Sequence, residues 1–500
     1  MKNTFLKIGC LLIAIILAMS TLVACFGGDE GDDSQGASQG DNGSQGGTNG
    51  GDVTTEAADV APVPDTDWGG REFSVLSVKD PIEPNFEIVG DSNATNVPYA
   101  VYQRNLEIQE KYNVNIAEYG DANQDSLEIL AAQIDGDDHD YDLVFMYRDD
   151  MAAAIVSGYM KDLTKVEYLN LSNEWYNQST LESMKISGKL YHMVSSFSLI
   201  DKARTNVLFV NRELAEDNQI PDIVSLVRTG DWTIDKMYTY EATVAADDGD
   251  GLMTFDDTWG LACGGDEVVS TFWNALGNEI ITVNADGTWM VNLTSEHSKL
   301  SIEETKKAFN TNIAFTGNAF YDYSDAHNVF VDERCLFISE TLSAITKISP
   351  NADFSFTAIP YPKYDKAQAQ YYTTNDNTYC ATYGIPVCAG DASFSGFMIE
   401  VLSWKSHTTT FPEYYNVVCK VQNAYDTECA EMVDFVFDGL VFDFGLLYSK
   451  NLGGVRGLLQ NAIFKGTDIT GGYAGKEEQI VGKIEMIFEA IELNESLEQQ

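Results

Sequence analysis

Basic residues are scarce in this sequence of 500 residues. It has 30 Lys and Arg against 77 Asp and Glu, a net charge of −47, and such a surface repels nucleic-acid phosphates. Histidine is rarer still, with five residues and no pair at the spacing of zinc ligands, so we expect no metal site and no cofactor. The eight cysteines include no C-x-x-C pair. Nucleic acid is therefore excluded as a partner, and metal chemistry is not indicated.

The N-terminus has the pattern of a secretory leader. Met1–Lys7 carries two lysines and no acid, and Ile8–Met19 is an apolar or small run too short to span a membrane comfortably. Leu22–Cys25 resembles the bacterial lipobox, whose cysteine takes a diacylglyceryl group and becomes the first mature residue. We expect a signal peptide over residues 1–24 and anchoring at the outer face of the cell membrane through Cys25. A plain signal peptide with an accidental cysteine is the alternative.

Residues 25–67 are predicted to be the lipidated cysteine and a disordered tether. The stretch after Cys25 is dominated by Gly, Ser, Asp, Asn and Gln, and cannot bury enough apolar surface to fold. A flexible coil of its length spans about 35 Å. Gly36–Gly40 matches G-x-S-x-G, but the strand and helix that flank a hydrolase nucleophile are missing, so we interpret it as a chance match.

From Trp68 onward, short apolar strands alternate with amphipathic helices. The strands Glu72–Val78, Val114–Ile116 and Asp142–Met146 alternate with two helical segments. This order predicts a mostly parallel sheet, with ligands beyond the carboxyl ends of its strands. Further predicted elements are strands at Asn206–Asn211, Thr258–Leu261, Cys335–Ile338, Phe354–Ile359 and Thr382–Val387, a hairpin around Asp286-Gly287, a helix over Phe397–Trp404, and a largely helical stretch from Glu413.

A series of ordered motifs carries a family resemblance. Asp142–Thr164 combines a strand ending in polar residues with a helix that runs to Gly158. The later motifs are Gly188–Tyr191, Phe209–Leu214, Asp231–Thr233, Trp259–Leu261, Asp332–Ser339 and Ala358–Pro360. In this order they resemble the extracellular solute-binding proteins of ABC importers, the maltose-binding-protein-like cluster called family 1. Asp332, Glu333 and Leu342 depart from the family's pattern, so the identity of the ligand does not carry over.

The resemblance implies an α/β protein of two lobes, a periplasmic-binding-protein-like fold of type II that closes on a ligand. We expect an N-lobe over 68–207, a C-lobe over 208–357, a return to the N-lobe over 358–408 and a helical completion of the C-lobe over 409–500. The implied function is capture of a solute, with a carbohydrate favoured, by a monomer that delivers it to the permease subunits of an ABC transporter. No catalysis is implied.

Carrying the family's cleft positions across gives the candidate ligand-binding residues. Aromatic rings and hydrogen-bonding side chains suit the faces and hydroxyls of a sugar. Trp232 is instead predicted to be a buried anchor at a helix start. The candidates are Asp80, Met146, Tyr147, Arg148, Asp149, Asp150, Arg204, Asp266, Ser270, Trp273, Glu340 and Thr341.

Three alternatives remain open at this point. A surface glycoside hydrolase would use two carboxylates for acid–base chemistry, although no local pattern singles out a pair. Ala246–Asp257 partly matches a calcium loop, but its first and last positions are wrong, so we favour an acidic surface loop. Six cysteines follow Cys25, and Cys380 with Cys388 is the pair to check first for a disulfide, with buried thiols as the alternative.

The lipobox makes a prediction about anchoring. Replacement of Cys25 by Ala removes the sulfur that carries the lipid, so Cys25→Ala should release the protein into the medium or leave it uncleaved. Fractionation of cells into membrane and medium measures this. A variant that is processed and retained like the wild type would contradict the anchor.

Overall fold

The computed structural model describes residues 60–78, 87–120, 125–264, 267–316, 323–375, 379–421 and 427–498. The leader, Cys25 and the tether up to residue 59 lie outside these ranges, as do the candidate residues Asp80 and Asp266. The lipid anchor and these two site residues therefore stay predictions. Ala58–Gln500 forms one compact unit.

Eleven strands are found in the described residues. Their bounds are β1 Arg71–Ser77, β2 Val114–Tyr119, β3 Leu143–Tyr147, β4 Asn206–Asn211, β5 Trp259–Cys263, β6 Ile281–Val283, β7 Trp289–Val291, β8 Ala314–Phe315, β9 Cys335–Thr341, β10 Phe356–Ile359 and β11 Ala381–Gly384.

Helices separate most of these strands. Their bounds are α1 Asn96–Tyr112, α2 Ser126–Gly136, α3 Arg148–Val156, α4 Gln178–Met184, α5 Ile200–Ala203, α6 Arg212–Asp217, α7 Ile223–Arg228, α8 Ile234–Val244, α9 Glu267–Ala275, α10 Glu296–Ala308, α11 Tyr323–Val331, α12 Ile345–Ile348, α13 Ala392–Thr408, α14 Thr410–Val421, α15 Thr427–Asp438, α16 Phe444–Leu447, α17 Arg456–Phe464, α18 Ile469–Ala474 and α19 Glu477–Glu498.

The first sheet has the strand order β11-β3-β1-β2. β1 pairs in parallel with both β2 and β3, and β11 is antiparallel to β3, with Tyr383 opposite Phe145. Leu143–Met146 is apolar without alternation and fully buried, as expected of a strand covered on both faces. The predicted β-α-β-α-β unit is confirmed, with an antiparallel strand from late in the chain added at its edge.

The second sheet has the order β10-β4-β9-β5-β8. β5 is parallel to β8 and β9, whereas β4 is antiparallel to β9 and β10. Ala358 and Ile359, which the predicted boundary assigns to the return segment, pair with Phe209 and Leu208 in this sheet. The chain therefore returns to the first sheet between Ile359 and Ala381.

Two smaller expectations, a hairpin and a buried tryptophan, are also confirmed. β6 and β7 form the antiparallel hairpin predicted around Asp286-Gly287. Trp232 is fully buried, and its indole N–H donates to the carbonyl of Pro360 at 3.0 Å. Within the described residues, we find no helix with the length and apolarity needed to cross a lipid bilayer.

A buried acidic residue, Glu241, lies where helix α8 packs against the second sheet. Glu241 is fully buried, and among the described residues neither carboxylate oxygen has a hydrogen-bond partner. Gly260 of β5 makes room for it, since a Cβ atom there would lie 2.4 Å from the Cβ of Glu241. Burial raises the pKa of Glu241 well above its ordinary value, so the folded protein holds this side chain as the neutral acid.

The raised pKa of Glu241 makes stability depend on pH. Above about pH 4.3 the unfolded chain loses this proton while the folded chain keeps it. The unfolding free energy of the wild type should therefore fall, relative to Glu241→Gln, by up to about 1.4 kcal/mol per pH unit as the pH rises. Urea unfolding between pH 4.5 and 8 measures the difference. The exposed Glu303→Gln serves as the control and should follow the wild type, whereas parallel curves for Glu241→Gln would contradict the assignment.

Candidate functional site

Three short chain segments run side by side where the chain passes between the two sheets. Thr205 forms an antiparallel bridge with Asn375, and the amide of Asn206 donates to the carbonyl of Thr374 at 3.0 Å. Thr373 in turn forms a parallel bridge with Leu440. We call Thr205–Asn206, Thr373–Asn375 and Gly439–Val441 the crossing ribbon. Apart from Asn206, which begins β4, these residues lie in neither main sheet, and the chain passes through them on its way from one lobe to the other.

Buried side chains reinforce the crossing ribbon. The amide of Asn375 donates to the carbonyl of Asp201 at 2.6 Å and to the hydroxyl of Thr205 at 3.1 Å. The hydroxyl of Thr373 donates to the carbonyl of Asn206 at 2.7 Å. The three side chains that form these bonds, those of Thr205, Thr373 and Asn375, are almost fully buried. Since buried backbone groups that lose their partners are costly, these bonds fix the path of the crossing segments.

An ion pair lies immediately before the ribbon. Asp201 is fully buried and pairs with Lys202, while the hydroxyl of Ser198 donates to Asp201 at 2.9 Å. The ammonium of Lys202 also lies 5.9 Å from the ring centres of Phe411 and Phe437. Burial raises the pKa of Asp201, and the adjacent ammonium opposes that rise. The charge of Lys202 therefore compensates a carboxylate that water does not reach.

Tyr147 and Arg204, two of the predicted site residues, both contact Tyr379, which was not among the predicted residues. The ring of Tyr147, at the carboxyl end of β3, lies edge-on to Tyr379 with ring centres 5.9 Å apart. The guanidinium of Arg204 lies 5.4 Å from the centre of the same ring. Tyr379 stands two residues before β11 and keeps 37% of its surface exposed. In the sequence, the only signal for Tyr379 was an aromatic residue at the end of the polar stretch that precedes a strand.

The carboxyl end of β9 lies beside the ribbon. Thr341 is paired with Asn206, Glu340 with Val207, and the amide of Leu342 donates to the carbonyl of Thr205 at 2.8 Å. Glu340 and Thr341 are both half-buried. The end of this second-sheet strand is thus within two residues of Arg204.

Helix α9 reaches the same place. The side-chain amide of Asn206 donates to the hydroxyl of Thr271 at 2.9 Å. Ser270, the neighbour of Thr271, is fully buried, and its hydroxyl has no hydrogen-bond partner in the described part of the chain. Thr271 and Asn206 bring hydroxyl and amide groups to an edge already occupied by rings and a guanidinium. We name the set the interlobe cluster: Tyr147, Arg204, Asn206, Thr271, Glu340, Thr341 and Tyr379.

The other candidates are placed less directly. Met146 and Trp273 are almost fully buried in one hydrophobic core, so both have packing roles in the structure. Arg148 begins α3 and is also buried, with its guanidinium 5.0 Å from the ring centre of Phe442. Burial, together with the charge of Arg148, lowers the pKa of His192 to about 3.

Asp149 and Asp150 lie in the first turn of α3. Asp149 is exposed, whereas Asp150 is half-buried. Burial raises the pKa of Asp150, with smaller contributions from Asp125 and Asp149 that Lys450 opposes. Asp150 therefore faces the N-terminus of α2 and the C-terminal helices, while Asp149 is free to meet solvent.

The acidic loop before β5 folds on itself. Asp247, Asp248 and Asp250 bring carboxylate oxygens within 4.8 Å of one another, and all three are exposed. Asp247 accepts hydrogen bonds from the amides of Gly249 and Gly251. The carboxylates thus cap backbone groups of their own loop, which agrees with the expected acidic surface loop.

The fold is that of the solute-binding proteins of ABC importers, two α/β lobes joined by several chain crossings. No protein-family profile and no curated protein sequence matches this chain. The likeness is structural. A cyclo/maltodextrin-binding protein complexed with maltotetraose has a TM-score of 0.55 to this chain at 14% sequence identity, covering 84% of this chain and 97% of its own.

Two further solved structures give a similar result. The GacH receptor of Streptomyces glaucescens, solved unliganded and with acarbose, has a TM-score of 0.52 at 13% identity over 85% of this chain and 99% of its own. UgpB from Mycobacterium tuberculosis, complexed with glycerophosphocholine, has a TM-score of 0.50 at 14% identity over 83% and 99%. These neighbours confirm the predicted two-lobe fold.

The ion pair before the ribbon gives a stability prediction. Lys202→Met leaves Asp201 buried without its countercharge, and should lower the unfolding free energy by about 3–5 kcal/mol. Denaturant unfolding measures the loss. The double variant Asp201→Asn/Lys202→Met removes both charges and should recover most of it. A double variant no more stable than Lys202→Met would show that the pairing of charges is not what stabilises this segment.

Proposed function

We propose that this protein captures a carbohydrate outside the cell and passes it to the permease subunits of an ABC importer. It would act as a monomer held to the outer face of the membrane by the lipid on Cys25. The observation that carries the proposal is the interlobe cluster, which stands at the carboxyl ends of strands from both sheets. In open α/β sheets, ligands bind beyond these strand ends.

The composition of the cluster fits a sugar. Tyr379 offers a partly exposed aromatic face, and rings of this kind pack against the C–H faces of sugar rings. Arg204 offers donors, Glu340 offers acceptors, and the hydroxyl of the half-buried Thr341 offers both. A net charge of −47 also disfavours anionic solutes at long range. The maltotetraose and acarbose bound by two of the structural neighbours belong to the same chemical class.

A glycoside hydrolase remains the competing function. Such an enzyme needs two carboxylates about 5–9.5 Å apart at the scissile bond. In the described part of the interlobe cluster there is one carboxylate, that of Glu340, so a capture protein is the better fit. Incubation with oligosaccharides followed by product analysis separates the two functions. Release of shorter sugars would show that the protein is a hydrolase and not a capture protein.

The ligand class can be identified by thermal unfolding with a panel of probes. The panel contains maltotetraose, a sugar alcohol and glycerophosphocholine, which represent a neutral oligosaccharide, a polyol and a zwitterion. A ligand at 100 times its dissociation constant adds about 2.7 kcal/mol to stability, which is a measurable rise in melting temperature. A rise in melting temperature with glycerophosphocholine alone would indicate that the solute is a phosphodiester and not a carbohydrate.

The cluster predicts the effect of a single substitution on affinity. Tyr379→Ala should weaken binding of the responding sugar by about 5- to 150-fold, equivalent to about 1–3 kcal/mol, since it removes the aromatic face and exposes Arg204. Isothermal titration measures this. Tyr99→Ala is the matched control, because Tyr99 is similarly exposed at 44% on α1. Equal affinity in both variants would place the pocket elsewhere.

Trp273 is unsuitable for the same test. As a residue predicted to bind ligand, Trp273 would be expected to tolerate replacement by Ala without loss of stability, but it is 2% exposed within the core. Removing a large aromatic from such a site costs about 3–5 kcal/mol. Asp149→Ala is the better binding test among the predicted residues, because Asp149 is exposed and its loss leaves no cavity.

A further inference from the structure

Six cysteines lie in the described part of the chain, and only one pair brings its sulfur atoms into contact. The Sγ atoms of Cys419 and Cys429 are 3.0 Å apart. The pair that the sequence brought forward, Cys380 and Cys388, shows no such contact, and the thiol of Cys380 instead lies 3.7 Å from the carbonyl of Ala381. Cys263 and Cys335 are buried on neighbouring strands.

We propose that Cys419 and Cys429 form a disulfide bond that joins helices α14 and α15. The two residues are ten apart in sequence, on consecutive helices. A disulfide requires its sulfurs at about 2.05 Å, so bond formation moves them together by about 1 Å, which side-chain rotation supplies.

The exposure of the two thiols assigns their roles. Cys419 is half-buried and Cys429 is 1% exposed, so an oxidant reaches Cys419 first. The S–H of Cys429 donates to the sulfur of Cys419, which lowers the pKa of Cys419 and raises that of Cys429. The thiolate is the reactive form. Cys419 is therefore the attacking group and Cys429 the resolving group.

The oxidant is a small-molecule disulfide such as glutathione disulfide. The thiolate of Cys419 attacks one sulfur of the oxidant, forming a mixed disulfide and releasing one glutathione thiolate. Cys429 then loses its proton and attacks the Cys419 sulfur, which releases the second glutathione. Two protein thiols are oxidised and one glutathione disulfide is reduced to two thiols, so atoms and electrons balance.

The bond would fasten α14 to α15 at the second lobe. Helix α14 packs against α1 and α13 of the first lobe and against α12 of the second, and Cys419 lies against the same second-sheet core as Cys429, whereas α15 packs against β10 and α7 of the second lobe. Glu428, next to Cys429, forms ion pairs with Arg212 at 3.3 Å and with Arg228 at 3.2 Å. These pairs hold α15 to the second lobe, so a covalent link would fix the Cys419 end of α14 to that lobe as well.

The test uses the reduced full-length protein incubated with glutathione disulfide. In the wild type, alkylation after unfolding should find two fewer free thiols than before oxidation, and peptide mapping should find Cys419 linked to Cys429. In Cys429→Ser the mixed disulfide cannot be resolved, so glutathione should remain on Cys419. The melting temperature of the oxidised wild type should exceed that of the reduced form by at least about 2 °C.

Two further variants make the result decisive. Cys419→Ser/Cys429→Ser should show no loss of thiols under the same conditions, whereas Cys380→Ser/Cys388→Ser should lose two, like the wild type. The proposal is overturned if the wild type keeps all its thiols, if the linked peptide joins another pair, or if Cys429→Ser takes up no glutathione.

Discussion

The hydrogen bonds of the crossing ribbon are the constraint on which the site depends. Thr205–Asn206 lies between Thr373–Asn375 on one side and the end of β9 on the other. This position sets where Arg204 emerges and which strand ends lie beside it. Without these bonds, each sheet could still bury its own apolar faces, but the path of the chain between Tyr147 of the first sheet and Thr341 of the second would lose the hydrogen bonds that fix it.

The distribution of positive charge has a second consequence for the site. Several of the few basic side chains are inside the protein: Arg104 donates to Ser406 at 2.9 Å, and Lys202 pairs with Asp201. Arg148 and Arg204 are also buried, each near an aromatic ring. The acidic surface therefore excludes anions at long range, while Arg204 supplies a local hydrogen-bond donor. A neutral, hydroxyl-rich solute satisfies both conditions.

Much of the fold could be predicted because its elements are encoded locally. Asn206–Asn211 reads as a strand without reference to the rest of the chain and is β4 residue for residue, and Trp232 was recognised as an anchor. Tyr379 could not be found, because its role comes from contacts with Tyr147 and Arg204, more than 170 residues away. Trp273 shows the opposite case. In the sequence, an aromatic residue on an amphipathic helix is equally compatible with a ligand-binding surface and with a hydrophobic core. The structure places Trp273 in the core, where it is buried.

The proposed disulfide would also affect the proposed capture of solute. Closure of two lobes requires rotation about the crossing ribbon, and bonds that run along that axis can be kept while the lobes rotate. Helix α14 contacts both lobes, because it packs against α1 and α13 of the first while Cys419 lies against the core of the second sheet together with Cys429. A link between α14 and α15 would fix α14 to the second lobe. Rotation of the lobes would then have to move α1 and α13 over α14, so the disulfide should make closure, and ligand binding that requires closure, less favourable.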